Sequence, residues 1–380
     1  MSAGASKNRM QRDFVLETFQ THAARPALSC IPTTSVRQSR TMSYRIAIVG
    51  ATGLVGRAML DILAERQFPI AELALYASAR SAGTIVQWQG AALRVQELSP
   101  SAPSGHYDLA LFSAGAAVSR TWAPVFAQHG TTVIDNSSAW RLAPDVPLVV
   151  PEVNSHRALE HRGIIANPNC STIQLAVALK PIAELYGIER VVVATYQSVS
   201  GAGQRGLEQL AAELDGHEPT VRISNHPLAH NAVFHPLAPD GWSEEERKVM
   251  TELQRILELP SLAVVATCVR LPFFRSHAEA VWVECTRPVD LEQIMATLAA
   301  SPGVRLVTDD YPTPRSTSGS DWVWVGRLRR DPNNDRGIVL WIVADNIRKG
   351  AATNAIQIAE LLAAHGVLRN PSSTVPVPVQ

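Results

Sequence analysis

Cys170 stands in the run Asn167-Pro168-Asn169-Cys170-Ser171-Thr172, directly ahead of the apolar stretch Ile173-Gln174-Leu175-Ala176-Val177-Ala178-Leu179. Asn, Pro and Ser favour turns and helix starts, so the spacing predicts a cysteine in or beside the first turn of a helix. Unpaired backbone N–H groups and the positive end of the helix dipole would there favour thiolate over thiol, and the same N–H groups can stabilise an oxyanion. Taken alone, a cysteine is more often a buried structural residue; the rest of the chain favours the nucleophile.

The elements that must position such a thiol begin near Tyr44. Tyr44-Arg45-Ile46-Ala47-Ile48-Val49 reads as a strand, and it leads into Gly50-Ala51-Thr52-Gly53-Leu54-Val55-Gly56 and a helical run through Leu63 and Ala64. This G-x-x-G-x-x-G turn is a variant of the dinucleotide fingerprint, in which glycines permit a tight turn and let a pyrophosphate approach the helix N-terminus. A second strand, Leu73-Ala74-Leu75-Tyr76, ends without the acid that commonly holds a ribose 2′-hydroxyl. Arg80, flanked by Ser78 and Ser81, would suit a 2′-phosphate and hence NADP; the plainer reading is a solvated loop arginine. Further strands at 108–112 and 132–135, with a helix between them, predict a Rossmann-type, doubly wound parallel sheet in an α/β protein.

The 380 residues suit two domains. Lys plus Arg equals Asp plus Glu at 34 each, so no general affinity for nucleic acid is expected. Cys30, Cys170, Cys268 and Cys285 are widely spaced, which argues against a zinc site or a disulfide scaffold and for a reducing compartment. No apolar run approaches the roughly 20 residues of a membrane span, and a cytoplasmic protein is expected. Residues 1–42 are Arg-rich and acid-poor, and read as a disordered extension, either a transit peptide or a segment upstream of a start at Met42. Residues 371–380 read as a loose tail.

With these pieces assembled, the chain from Tyr44 to about Leu368 resembles the aspartate-semialdehyde dehydrogenase family. The resemblance is carried by Gly50 to Gly56, Ser113-Ala114-Gly115, Asp135 to Arg141, Val149 to Asn154, Asn167 to Gln174, Tyr196 to Gly203 and Asp345 to Asn354, in that order. It implies NADP-linked, reversible conversion of aspartyl 4-phosphate to aspartate 4-semialdehyde and phosphate, without a metal, in a homodimer. By the same resemblance Cys170 is the nucleophile, Gln197 orients the acyl group and His277 is the acid/base. Arg270 grips the substrate carboxylate, Glu245 meets its ammonium, and Arg141, Asn169 and Lys248 hold phosphate. Gly50, Thr52, Gly53, Leu54, Val55, Gly56, Ser78, Arg80, Ser81, Ser113, Ala114, Gly115, Ser200, Gly201 and Asn346 are the implied cofactor residues. The chain departs from the family's pattern at Thr84, in the 231–240 loop, and at Phe273-Phe274-Arg275-Ser276 before His277.

Residue chemistry supports the same assignment. Arg141 and Lys248 can neutralise a phosphate, a thioester on Cys170 accepts hydride far more readily than a carboxylate, and an imidazole titrating near neutrality would suit both directions. Related acyl-phosphate or acyl-CoA reductases are the alternative enzymes. A catalytically silent paralogue is the other, and the presence of Cys170, Gln197, Arg270 and His277 together argues against it. The expected organisation is a cofactor domain of residues 43–168 rejoined by 350–370, and a catalytic and dimerisation domain of residues 169–349 with a mixed sheet.

Overall fold

Residues 43–368 are described by the computed structural model; the expectations for residues 1–42, for Cys30 and for the tail lie outside them. The chain forms a six-stranded parallel sheet in the spatial order Gln96–Glu97, Ile70–Ala77, Tyr44–Val49, Leu109–Phe112, Thr132–Asp135, Ile164–Ala166. The inner strands Tyr44–Val49, Leu109–Phe112 and Thr132–Asp135 are largely apolar because both faces are covered, while the edge strand Gln96–Glu97 is polar and exposed. Ile46, Ile48, Leu109, Leu111 and Ile134 face a core shared with the helices Leu54–Glu65 and Thr353–Ala364. The alternate residues Ala47, Val49, Ala110, Phe112 and Val133 face the core that includes Ala123 and Phe126 of the helix Ala116–Gln128.

The first strand sits between the second and the strand Leu109–Phe112, so the order reverses there. Crevices at such reversals, beyond the carboxyl ends of the strands, are where open α/β sheets bind ligands. The glycine turn Gly50 to Gly56 and the segment Ser113-Ala114-Gly115, which follow the strands Tyr44–Val49 and Leu109–Phe112, both lie at this point. Gly50 has φ +91°, and a Cβ on it would lie 2.5 Å from the Ser113 carbonyl oxygen, so glycine is required by conformation and by space.

The second sheet is mixed and seven-stranded: Val233–Phe234, Ala263–Arg270, Ile188–Gln197, His277–Cys285, Asn334–Ala344, Val323–Asp331, Val304–Leu306. The apolar runs 191–195, 263–266, 280–283, 322–326 and 338–343, which the sequence offers as strands, all fall in this sheet. Trp322 falls just outside its strand, which starts at Val323, while the two-residue edge strand Val233–Phe234 gave no sequence signal. One face of the sheet packs on the helices Cys170–Tyr186, Glu244–Leu257 and Leu291–Ala300. On the other face Val192 is exposed, and Tyr196, Trp282 and Trp341 are half-buried. No described helix is long and apolar enough to cross a membrane.

Candidate active site

The helix Cys170–Tyr186 leaves the last strand of the first sheet and enters the core of the second, placing Cys170 at the joint between them. Cys170 is its first residue, and Asn169 is the N-cap, whose Oδ1 accepts from the Cys170 backbone N–H at 3.0 Å. Ser171 directs its own N–H at the thiol. Arg141, Asn169, Cys170, Gln197, Glu245, Lys248, Arg270 and His277, which are all of the catalytic and substrate residues expected from the sequence, line a single cavity of about 210 Å³ together with Ser138 and Gly201.

The fold brings them together from separate elements. Gln197 and Arg270 are register partners at the ends of two parallel strands, and His277 opens the next strand, 3.2 Å from Cys170 Sγ through Nε2. Glu245 and Lys248 lie on the helix Glu244–Leu257, which is started by a Ser243–Glu246 capping box. Arg141 donates to the carbonyls of Asn136 and Asn167.

The electrostatics correct two expectations. The Cys170 side chain retains a little open surface but is surrounded by protein, and burial followed by the nearby Glu245 carboxylate pushes the thiol up to about 12, against the pull of Arg141 and Arg270. Desolvation outweighs the helix terminus, so the resting residue is a thiol rather than a thiolate. His277 does not titrate near neutrality: burial, then Arg270, pushes it down to about 3. Its Nδ1 accepts from the Ser198 backbone N–H at 3.0 Å, which places the proton of the neutral ring on Nε2, beside the sulfur. Burial also raises the Glu245 carboxyl, but Lys248 first, then the Asn169 and Gln197 amides, bring it down to about 2, so it is an anion inside the cavity.

Further groups support the site, and Glu252 among them carried no motif. Glu252, 1 % exposed, accepts from the Asn169 backbone N–H at 2.6 Å and from Arg141 at 3.3 Å; its spacing of seven from Glu245 along one helix face was the available signal. Ser198 Oγ and Ser200 Oγ donate to Asn346 Oδ1, and the Ser276 N–H donates to the same oxygen. Asn346 therefore lies behind His277 in a hydrogen-bonded group. Gly350 belongs to a turn, Arg348–Ala352, packed against Cys170: a Cβ there would stand 3.0 Å from Cys170 Cβ.

The remaining expected cofactor residues cluster at the strand-order reversal. The Gly50 and Ala51 N–H groups donate to the Tyr76 carbonyl, which ties the glycine turn to the end of the second strand. Ser78, Arg80 and Ser81 form the 3-10 turn just after it, with Arg80 exposed. Gly53 caps the helix Leu54–Glu65 without a side-chain hydrogen bond, leaving first-turn N–H groups available to an anion. Leu54 and Ser200 line one further cavity of about 460 Å³, which spans the glycine-turn helix and the segment behind His277.

A glycine turn at the switch point of a parallel sheet, together with a polar cavity that sets a thiol against an imidazole, fits a dehydrogenase. The family model for the semialdehyde dehydrogenase NAD binding domain matches residues 45–161, and that for the semialdehyde dehydrogenase dimerisation domain matches residues 179–349. The aspartate-semialdehyde dehydrogenase of Aquifex aeolicus is 48% identical over 340 residues, covering 86% of this chain and all of the relative. The crystal structure of aspartate semialdehyde dehydrogenase II from Vibrio cholerae, also 48% identical, covers 85% of this chain and 99% of that one with a TM-score of 0.82, and the same enzyme was solved complexed with ASA. A 26% identical enzyme of Candida albicans, covering 86% of this chain and 99% of its own with a TM-score of 0.68, was solved with NADP. The chain belongs to the aspartate-semialdehyde dehydrogenase family.

Proposed function

We propose that this chain reduces L-aspartyl 4-phosphate to L-aspartate 4-semialdehyde and phosphate with NADPH, reversibly, through a thioester on Cys170, in the biosynthesis of the aspartate-derived amino acids. The convergence of eight separately encoded side chains on one cavity carries the reading. The dinucleotide fits the first sheet: the uncapped helix after Gly53 suits the pyrophosphate, Gly50 and Gly115 leave the turn bare of side chains, and Arg80 between Ser78 and Ser81 suits a 2′-phosphate. When bound, the reduced cofactor supplies the hydride that takes the thioester to the aldehyde level.

The protein's own residues then have defined tasks. Arg270 takes the substrate carboxylate and Glu245 its ammonium. That ammonium cancels part of the Glu245 charge that holds the thiol up, so substrate binding itself favours the nucleophile. Arg141 and Lys248 neutralise the phosphate, with Asn169 beside them. As Sγ attacks the acyl carbon the C–O bond to phosphate breaks, and the thiol proton leaves with the phosphate, which keeps charge and atoms balanced. Gln197 and the Ser171 N–H hold the acyl group. When the C–S bond later breaks, its electron pair returns to Sγ; Nε2–H of the neutral His277 hydrogen-bonds the sulfur as charge develops on it, and a proton from solvent restores the thiol.

An N-acetylated acyl phosphate has no cation to offer the ionised Glu245, which favours a substrate with a free amino group. The half-covered sheet face with Val192, Tyr196, Trp282 and Trp341 suits a homodimer. We assign residues 43–168 with 350–370 to the cofactor and 169–349 to catalysis and dimerisation, supported by the helix Thr353–Ala364 sharing the first sheet's core. The free Cys170, Cys268 and Cys285 suit the cytoplasm.

The test is phosphate-dependent reduction of NADP by aspartate 4-semialdehyde, with NAD in parallel. Activity in the intact protein and its loss by at least about a thousandfold in Cys170→Ser are expected. A folded, NADP-binding protein inactive with both cofactors would overturn the reading.

A further inference from the structure

His235 follows the edge strand Val233–Phe234, which pairs antiparallel with Val269 and Arg270. Its ring is partly buried, and Nε2 lies 3.4 Å from Arg270 Nη2 and 3.4 Å from Gln197 Oε1. One nitrogen cannot serve both neighbours at once: Arg270 offers only N–H, and Gln197, whose Nε2 donates to Ser171 and Glu245, offers only its oxygen. The guanidinium is the charged partner and makes the stronger bond, so Nε2 carries its lone pair toward Arg270. Burial disfavours the charged ring, which keeps that lone pair in place near neutrality.

Among the described residues Arg270 is otherwise held by one hydrogen bond, from Nη1 to the Ser198 carbonyl at 2.6 Å. A planar guanidinium fixed at one corner still swings about it; fixed at two, it presents its remaining N–H groups in one direction. His235 also stands where the substrate cavity adjoins a larger one of about 790 Å³, with Arg270 lining both. Without a bond on this side the guanidinium is free to turn toward the larger space.

We infer that His235 is a positioning residue that accepts from Arg270 and thereby aims the guanidinium at the substrate's carboxylate, setting affinity for the amino-acid end of the substrate alone. This rests on the functional reading above, in which Arg270 binds that carboxylate.

The experiment compares wild type, His235→Leu and His235→Gln in the phosphate-dependent oxidation of aspartate 4-semialdehyde with NADP. His235→Leu is expected to raise KM for the semialdehyde about tenfold, the loss of one hydrogen bond to a charged group, with kcat and the KM values for phosphate and NADP within about twofold. His235→Gln, whose amide oxygen can accept from Arg270, should stay within about threefold of wild type for all of them. An unchanged semialdehyde KM in His235→Leu, a parallel rise in the phosphate KM, or equal losses in both variants would overturn the inference while leaving the functional reading intact. A wild type that does not turn over the semialdehyde would instead overturn that reading and the inference together.

Discussion

Cys170 and His277 are driven in opposite directions by one cause, since burial penalises thiolate and imidazolium alike. The pair is therefore neutral at rest, and its contribution to stability has a definite sign. His277 has a folded pKa of about 3, below the ordinary value, so its share of stability is present above about pH 6.5 and is lost as pH falls toward 3. Glu279, two residues along the same strand and fully buried, has the opposite sign. Burial holds its carboxyl well above the usual range, with Gln174 acting the other way, and neither carboxyl oxygen meets a partner at hydrogen-bonding geometry. The folded state keeps a proton that the unfolded chain releases above about pH 4, so stability is lost as pH rises from there. Glu279→Gln should raise Tm relative to wild type by an amount that grows between pH 5 and pH 8, as thermal melts at the two pH values will read. Gly350→Ala sets a methyl 3.0 Å from Cys170 Cβ. Moving the nucleophile by a few tenths of an ångström should lower kcat at least about tenfold while leaving Tm within a few degrees.

Glycine turns and helix starts are the elements on which the chemistry is mounted. A Cβ at Gly56 would lie 2.2 Å from the Gly50 carbonyl oxygen, and one at Gly50 would meet Ser113, so the turn and the strand end beside it share one tight geometry. Gly50→Ala should abolish NADP binding and destabilise the fold by at least about 1–2 kcal/mol, the cost of a left-handed alanine alone; fluorescence titration and a denaturant melt check the two parts. Arg80→Ala should raise KM for NADP about tenfold or more and leave KM for NAD nearly unchanged, and equal effects on both would show Arg80 to be a solvated loop residue. In the helix Glu244–Leu257 the family resemblance made Glu245 and Lys248 legible. That Glu252 reaches under Asn169 and Arg141 was not, because a glutamate at helical spacing looks the same whether it faces water or a buried guanidinium.

For the whole molecule, the exposed face of the seven-stranded sheet is suited to association, and Val192 at 37 % exposure lies on it opposite Trp282 in the register. Sedimentation should find a dimer for wild type, and Val192→Glu should shift it toward monomer by placing an unpaired charge in a covered apolar surface. What the sequence by itself determined were features written in local order: the strand–glycine–helix start, the parallel sheet strands, the helix beginning at Cys170, and the motif residues that meet in the cavity. The first three depend on neighbours within a few positions, where spacing and residue type act directly, whereas the cavity residues were named by the ordered motifs of the family resemblance. Only the tertiary structure decided the protonation of the thiol and imidazole, the seating of Glu252, His235 and Gly350 around the site, and the buried Glu279. These depend on desolvation and on contacts between residues as far apart as Cys170 and Gly350, and neither quantity exists until the chain has packed.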